Sequence, residues 1–131
     1  METDEAGLNR LGTSALDCAF KVHSELGPGL LESSYKACLA FELAQAGHRV
    51  QVELPVPLVY QGKKLGDVGY RLDLLVDEEL ILEIKSVEGI APVHRAQLLS
   101  YLRLSKRRLG YVLNFNVVRL RDGIARVVNG L

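Results

Sequence analysis

The segment GYRLDLLVDEELILEIKSVE, residues 69–88, contains the clearest indication of the fold of this chain. Two apolar runs, residues 70–76 and 80–84, flank a short acidic segment at residues 77–79. Apolar runs of this length on either side of a short polar turn are typical of a β-hairpin. The sequence therefore predicts two antiparallel strands joined by a tight acidic turn.

The hairpin register predicts two carboxylates that face each other. With a three-residue turn, Val76 pairs with Leu80, and counting inward places Asp73 opposite Glu83. Side chains alternate along a strand, so the two acids share one face. The other face is expected to hold four apolar residues, Leu72, Leu74, Leu82 and Ile84. Like charges opposite each other repel, and a hard divalent cation such as magnesium or calcium would relieve the repulsion.

A lysine follows the second acid in the pattern D-x9-E-x-K. Lys85 points to the same face as Glu83, and the Ile84 carbonyl between them could add a backbone ligand. Two carboxylates, a divalent cation and a lysine that orients the attacking water can hydrolyse a phosphodiester. The alternative is an exposed, salt-bridged strand face, with Arg71 paired to Asp73 and Glu83 to Lys85, and the motif alone favours it. We also expect one acid of the pair to titrate above its ordinary pKa without metal, unless the charges of Lys85 and Arg71 offset the repulsion.

Two helical segments offer further polar side chains. His94, Gln97 and Tyr101 lie at helical spacing and form one stripe that could reach a phosphate or a ligating carboxylate. Taken alone, the stripe favours an ordinary solvent-facing surface over a functional one, and His94 is expected to be structural. Glu32 opens another helix, where it either complements the helix dipole or supplies a third carboxylate. The remaining histidines, His23 and His48, are expected to be structural or on the surface.

Periodicity outlines the remaining elements. Helices are predicted at about Leu8–Leu26, Leu30–Ala46 and Pro92–Leu104. The second helix is expected to turn five residues inward: Leu31, Tyr35, Cys38, Leu39 and Leu43. Strands are predicted at Val50–Tyr60, an edge strand because it contains two prolines, and at Leu109–Phe115, followed by a last hairpin of Val117–Leu120 and Ile124–Val128. The predicted order is ααβββαβββ, a layered α/β or α+β sandwich.

Composition limits the function classes. A chain of 131 residues, 48% of them hydrophobic, is expected to form one domain over residues 1–131, with residues 1–7 frayed. No apolar run is long enough for a transmembrane helix, and the acidic N-terminus does not resemble a signal peptide, so a cytoplasmic location is expected. Cys18 and Cys38 are expected to be small buried hydrophobes rather than a disulfide.

Charge is distributed unevenly along the chain. The net charge is zero, which argues against tight, indiscriminate binding to nucleic acid. Residues 101–131, however, carry seven basic side chains and one acidic side chain. This segment could form a local phosphate-binding patch, for example through Arg103, Lys106, Arg107 and Arg108, or it could simply be a solvated helix end and turn.

Together, these motifs resemble the PD-(D/E)xK nuclease superfamily, and most closely its small bacterial branch, the GxxExxY family. The naming motif reads GLLESSY at residues 29–35, and VHSELGP precedes it. The acidic hairpin, the helix with Gln97 and Tyr101, and the strand GYVLNFN at residues 110–116 follow in the family's order. Leu72 stands where the superfamily's name has proline. The likeness covers roughly Leu8 to Val128 and implies a restriction-endonuclease-like core, a central mixed sheet flanked by helices.

The resemblance also implies a function and a site. It implies a magnesium- or manganese-dependent nuclease that acts on nucleic acid, with DNA favoured over RNA, and a homodimer would provide one site for each strand of a duplex. The implied acidic ligands are Glu32, Asp73 and Glu83, with Lys85 as the catalytic lysine and Gln97 and Tyr101 lining the site. Because the superfamily includes members without catalysis, a binding or oligomerisation module of the same fold is the alternative, and a plain α/β domain is a third.

Overall fold

The computed structural model of the protein describes residues 3–66 and 69–131. In these ranges the chain forms three α-helices, α1 Glu5–Leu26, α2 Glu32–Gln45 and α3 Pro92–Ser105. It also forms seven β-strands, β1 Val50–Val56, β2 Val59–Tyr60, β3 Lys63–Lys64, β4 Tyr70–Val76, β5 Leu80–Lys85, β6 Leu109–Asn114 and β7 Ile124–Val128. None of the helices in the described ranges has the length and apolar character needed to cross a membrane.

Five strands form a mixed central sheet in the order β1-β4-β5-β6-β7. The β5–β6 pair is parallel and the other neighbours are antiparallel. The parallel pair requires a crossover connection, which α3 provides. Strand β1 lies at an edge, as its prolines predict, but it ends at Val56 and not at Tyr60. Residues Val59–Tyr60 form β2, which pairs with β3 in a separate small hairpin. The predicted α/β fold with a mixed sheet flanked by helices is therefore confirmed.

The sheet separates two apolar clusters. The first cluster packs α1 and α2 against one face of β4, β5 and β6. The second packs α3 against the other face through Leu98, Tyr101 and Leu102. Tyr35 links elements distant in sequence within the first cluster, because its ring stacks on Phe115 with 4.6 Å between ring centroids. A three-layer sandwich is the result, and the acidic hairpin lies at its centre.

The ends of the helices follow local chemistry. The Asp4 carboxylate accepts a hydrogen bond from the Gly7 N–H and caps α1, while Gly27 at φ 67° ends it. Helix α2 begins two residues later than predicted, because Leu31 adopts an extended conformation as its N-cap. Leu31 is 73% exposed, so the expectation that it points inward is wrong. Its place before the first helical turn removes it from the helical periodicity.

The predicted final hairpin is wrong. Strand β7 pairs directly with β6, with Leu113 opposite Ile124, so residues 115–123 form the connection between them. The segment Val117–Leu120 is therefore not a strand, and residues 120–123 form a short 3-10 helix. Within the described residues the order is ααβββββαββ, with five strands before α3 and two after it, where three were predicted on each side. The connection packs tightly against the end of β6, and only glycine fits at position 123. A Cβ on Gly123 would lie 2.1 Å from the Asn114 carbonyl oxygen.

Two histidines hold the layers together. His48 Nε2 lies 2.8 Å from Ser14 Oγ in α1, and its Nδ1 lies 2.7 Å from Asp77 Oδ2 in the hairpin turn. This chain joins the first helix, the start of β1 and the β4–β5 turn. His23 Nε2 contacts the Val117 carbonyl at 2.8 Å and holds the connection after β6. Both histidines are structural, as the sequence predicts.

Both cysteines are free thiols. Cys18 is buried against the first cluster, and burial raises the pKa of its thiol. Cys38 is half-buried on α2. Their packing agrees with the expected role as small hydrophobic side chains.

Candidate active site

The two opposed carboxylates of the β4–β5 hairpin hydrogen-bond to the backbone of the opposite strand. The predicted register is confirmed between Val76 and Leu80, and it continues to Leu74 and Leu82. At the next position Glu83 Oε2 accepts a hydrogen bond from the Asp73 N–H at 2.9 Å. Asp73 Oδ2 in turn accepts one from the Ile84 N–H at 2.8 Å. At this position carboxylate oxygens, in place of backbone carbonyls, accept the hydrogen bonds between β4 and β5. These bonds hold the two acids next to each other.

This exchange changes the packing of the preceding residue. Leu72 was expected on the same face as Leu74, but it packs in the second cluster beside Leu75 and Ile81. Leu74, Leu82 and Ile84 pack in the first cluster. The predicted grouping is wrong for Leu72, because the regular alternation of side chains is interrupted where the Asp73 carboxylate replaces the ladder.

Burial and repulsion both act on Glu83. Its side chain is only 4% exposed, and this burial is the larger cause that raises its pKa from 4.5 to about 8. The negative charge of Asp73 is the second cause, and the charges of Lys85 and Lys36 partly oppose it. The expected upward shift of one acid thus falls on Glu83, with burial ahead of repulsion. At neutral pH and without a cation, Glu83 is largely protonated.

Lys36 reaches the acid pair, and sequence reasoning missed it. Its Nζ lies 3.6 Å from Asp73 Oδ1 and 3.5 Å from Glu53 Oε1 of the edge strand. The ion pair of Asp73 is thus with a helical lysine, and not with Arg71 as the alternative of a salt-bridged strand face expects. The signal available in the sequence was the spacing of Lys36 from Glu32, since residues four apart share one face of a helix.

Glu32 lies at the end of β5. Its Oε1 accepts a hydrogen bond from the Ser86 N–H at 3.3 Å, and Ser86 Oγ donates to the Leu30 carbonyl at 2.7 Å. The start of α2 is thereby fixed beside the strand that carries Glu83 and Lys85. Within residues 3–66 and 69–131, no three His, Cys, Asp or Glu side chains lie close enough together to hold a metal ion. The three-carboxylate ligand set stays a prediction, with Asp73 and Glu83 as its assembled part.

A cavity of about 450 Å³ opens on the α3 side of the sheet. Gln97 and Tyr101 line it together with Tyr70 of β4, whose ring centroid lies 5.6 Å from that of Tyr101. Burial, followed by the charges of Glu83 and Asp73, raises the pKa of the Tyr101 phenol. That influence places the phenol within electrostatic range of both acids. His94 has a structural role, because its Nδ1 accepts a hydrogen bond from the Ala91 N–H at the start of α3.

Comparison with known proteins identifies the family. The model of the PD-(D/E)XK nuclease superfamily matches residues 9–127, which is nearly the whole chain. The chain belongs to the PD-(D/E)XK nuclease superfamily. No curated protein and no solved structure matches it. The family match supports a nuclease-like function with nucleic acid as the substrate class, and PD-(D/E)XK nucleases generally use divalent metals.

The basic side chains of this PD-(D/E)XK chain divide into two groups. Arg107 Nε donates to the Glu78 carbonyl at 2.9 Å, and an Arg108 guanidinium nitrogen donates to the Thr3 carbonyl. Both therefore lie at the turn end of the hairpin. Arg103 lines the cavity beside Tyr101. Of the four basic residues around the end of α3, at positions 103 and 106–108, Arg103 is the one that lines the cavity with Gln97 and Tyr101.

Proposed function

We propose that this chain is a nuclease that hydrolyses phosphodiester bonds of nucleic acid with Mg²⁺ or Mn²⁺. The observation that carries the proposal is the Asp73–Glu83 pair, two carboxylates held at one point of the sheet with Glu83 largely buried. A buried carboxylate at a raised pKa is costly for a folded protein, and such groups are concentrated at functional sites. Because the chain belongs to a nuclease superfamily, a role of this carboxylate in catalysis would explain why the protein keeps it buried.

The donor chemistry of the pair fits a hard divalent cation. Carboxylate oxygens are the preferred protein ligands of Mg²⁺, and Lys36 already places one positive charge beside Asp73. Under the proposal, Asp73, Glu83 and Glu32 hold the cation, with the Ile84 carbonyl as a further ligand. The bound cation would polarise the phosphate and lower the pKa of a water molecule.

The remaining residues orient the substrate and the water. Lys85, half-buried at the end of β5, would position the attacking water and stabilise negative charge that develops on the phosphate. Its charge acts on Glu83, so its ammonium group lies within electrostatic range of that carboxyl group. Gln97 and Tyr101, which line the adjoining cavity, would hold the phosphate or a ligating carboxylate in place. Lys36 would balance charge on Asp73 before the cation binds.

A cleavage panel tests this proposal. Labelled single- and double-stranded DNA and RNA are incubated with Mg²⁺ or Mn²⁺ and the wild type, Lys85→Ala or Lys21→Ala. We expect cleavage by the wild type and by Lys21→Ala, whose exposed lysine lies on α1 and pairs with the half-buried Glu42. Lys85→Ala should lose at least about 100-fold in rate, the usual size of one lost electrostatic or proton-transfer contribution. Equal rates for the two lysine variants would remove Lys85 from the mechanism.

Metal binding is measured separately by titration calorimetry. The wild type should bind Mg²⁺ or Mn²⁺, and Asp73→Ala should not, because one of two opposed carboxylates is lost. Equal binding by both proteins would refute the proposed ligands. Metal binding without cleavage of any substrate would instead identify the non-catalytic module of the same fold. We further propose DNA over RNA as the substrate and a homodimer for cutting both strands, which the panel and a sedimentation measurement address.

A further inference from the structure

We propose that the cavity lined by Tyr70 and Tyr101 receives an unpaired nucleobase, which makes single-stranded or frayed nucleic acid the substrate of this site. This inference rests on the proposed nuclease function, and it adds Tyr70 as a residue that determines specificity. The two rings, the polar groups around them and the position of the cavity support it independently.

The aromatic pair has the exposure that stacking requires. Tyr70 is 46% exposed, whereas Tyr101 is 6% exposed, and their rings meet at 44° with 5.6 Å between centroids. The buried ring therefore supports the exposed ring and fixes its orientation. Proteins that bind single strands use exposed aromatic rings in this way, because every base has a face that can stack.

The rest of the lining matches the edges of a base. Leu58 and Leu104 provide apolar walls, and Gln97, Ser100 and Arg103 provide polar side chains. Amide and hydroxyl groups can exchange hydrogen bonds with the base edges, and a guanidinium group can stack on a base or hold a phosphate. A volume of about 450 Å³ lies within the range of small-ligand sites. The lining therefore suits one flat, amphipathic ring system with an attached phosphate.

The cavity also lies where a strand would pass the acids. Tyr70 and Asp73 belong to the same strand, three residues apart, which is roughly 10 Å along an extended chain. The charges of Glu83 and Asp73 reach the Tyr101 phenol. A base in the cavity would thus leave a neighbouring phosphodiester within reach of the acid pair. A base inside a duplex is stacked and paired, so only an unpaired base can enter.

Binding measurements test the inference without cleavage. A fluorescein-labelled single-stranded oligonucleotide and its duplex are titrated with protein in Ca²⁺, with anisotropy as the readout. We expect Tyr70→Ala to weaken single-strand binding by about 5- to 150-fold, the range that one lost base–aromatic stack gives, and to leave duplex binding unchanged. Tyr70→Phe keeps the ring and should bind like the wild type. Phe41→Ala is the control, since Phe41 is 60% exposed on α2, on the opposite side of the sheet.

The outcomes separate this inference from the proposed function. Cleavage by the wild type combined with equal single-strand binding by Tyr70→Ala would overturn the base cavity and leave the nuclease standing. Tighter binding to the duplex than to the single strand would overturn it as well. Single-strand binding that depends on Tyr70, without cleavage of any substrate, would support the cavity and refute the hydrolytic proposal. Circular dichroism of each variant confirms that it remains folded.

Discussion

Raising the pH should destabilise the metal-free protein through Glu83. The pKa of this carboxyl group is about 8 in the folded chain against an ordinary value of 4.5. Between these values the folded state holds a proton that the unfolded state has released. Stability therefore falls as pH rises from about 4.5 through about 8. Below this window both states are protonated and the contribution vanishes.

The size of the effect follows from the same two values. The rise from 4.5 to about 8 corresponds to roughly 5 kcal/mol at about 1.36 kcal/mol per pKa unit. Water entry and movement of Lys36 would relieve part of this cost in the charged state. We therefore expect the free energy of unfolding to fall by about 2–5 kcal/mol between pH 5 and pH 9.

Urea unfolding in the presence of EDTA, followed by circular dichroism at several pH values, measures this fall. Glu83→Gln is the matched variant, because its amide oxygen can still accept the Asp73 N–H while carrying no charge. Its stability relative to the wild type should rise with pH and reach about 2–5 kcal/mol at pH 9. The two proteins differ only at position 83, so the difference between their pH profiles reports on this carboxyl group and its partners. Parallel pH profiles for the two proteins would refute the buried, protonated state of Glu83.

Three further substitutions test how the fold is held together. Gly123→Ala should lower the free energy of unfolding by about 1–3 kcal/mol or more, because its Cβ would lie 2.1 Å from the Asn114 carbonyl oxygen. Gly89→Ala, with open space around it, is the control in thermal unfolding. His48→Ala should lower the free energy of unfolding by about 1–3 kcal/mol, measured by urea unfolding, because Asp77 and Ser14 both lose a hydrogen-bond partner. Stability equal to the wild type would contradict the structural role of His48. Tyr35→Phe should lower the melting temperature by about 3–10 °C, because the Tyr35 hydroxyl donates to the Gly27 carbonyl at 2.6 Å and accepts from the Leu30 N–H at 3.1 Å. An unchanged melting temperature would show that water replaces both hydrogen bonds.

Local patterns in the sequence predict much of the fold. The apolar runs around residues 77–79 specify the β4–β5 hairpin, and the pairing of Val76 with Leu80 confirms the count. Pro92 begins α3, because its ring fixes φ near the helical value and its missing N–H is not needed in the first turn. Gly27 ends α1, because glycine adopts the positive φ of the residue after the helix without strain. These features arise from residues close together in the chain, which is why they can be read without the tertiary structure.

Long-range contacts account for the differences. The apolar run Val117–Leu120 has the composition of a strand, but the pairing of β6 with β7 leaves it in the connection. Leu72 departs from its expected face because a carboxylate replaces a ladder bond, and periodicity contains no information on such an exchange. Counting predicted that Asp73 and Glu83 meet, but the approach of Lys36 depends on how α2 docks on the sheet.

The stacking of Tyr35 on Phe115 limits how early the first cluster can fold during translation. Helices α1 and α2 leave the ribosome early, but the first cluster also needs Leu113, Phe115 and Leu120 from the last part of the chain. The β4–β5 hairpin likewise lacks its parallel neighbour until β6 has been translated. Hairpins of two strands are marginally stable alone. Asp73 and Glu83 are therefore expected to lie on an unfinished sheet until β6 has been translated, so under the proposed function the site cannot act before that point.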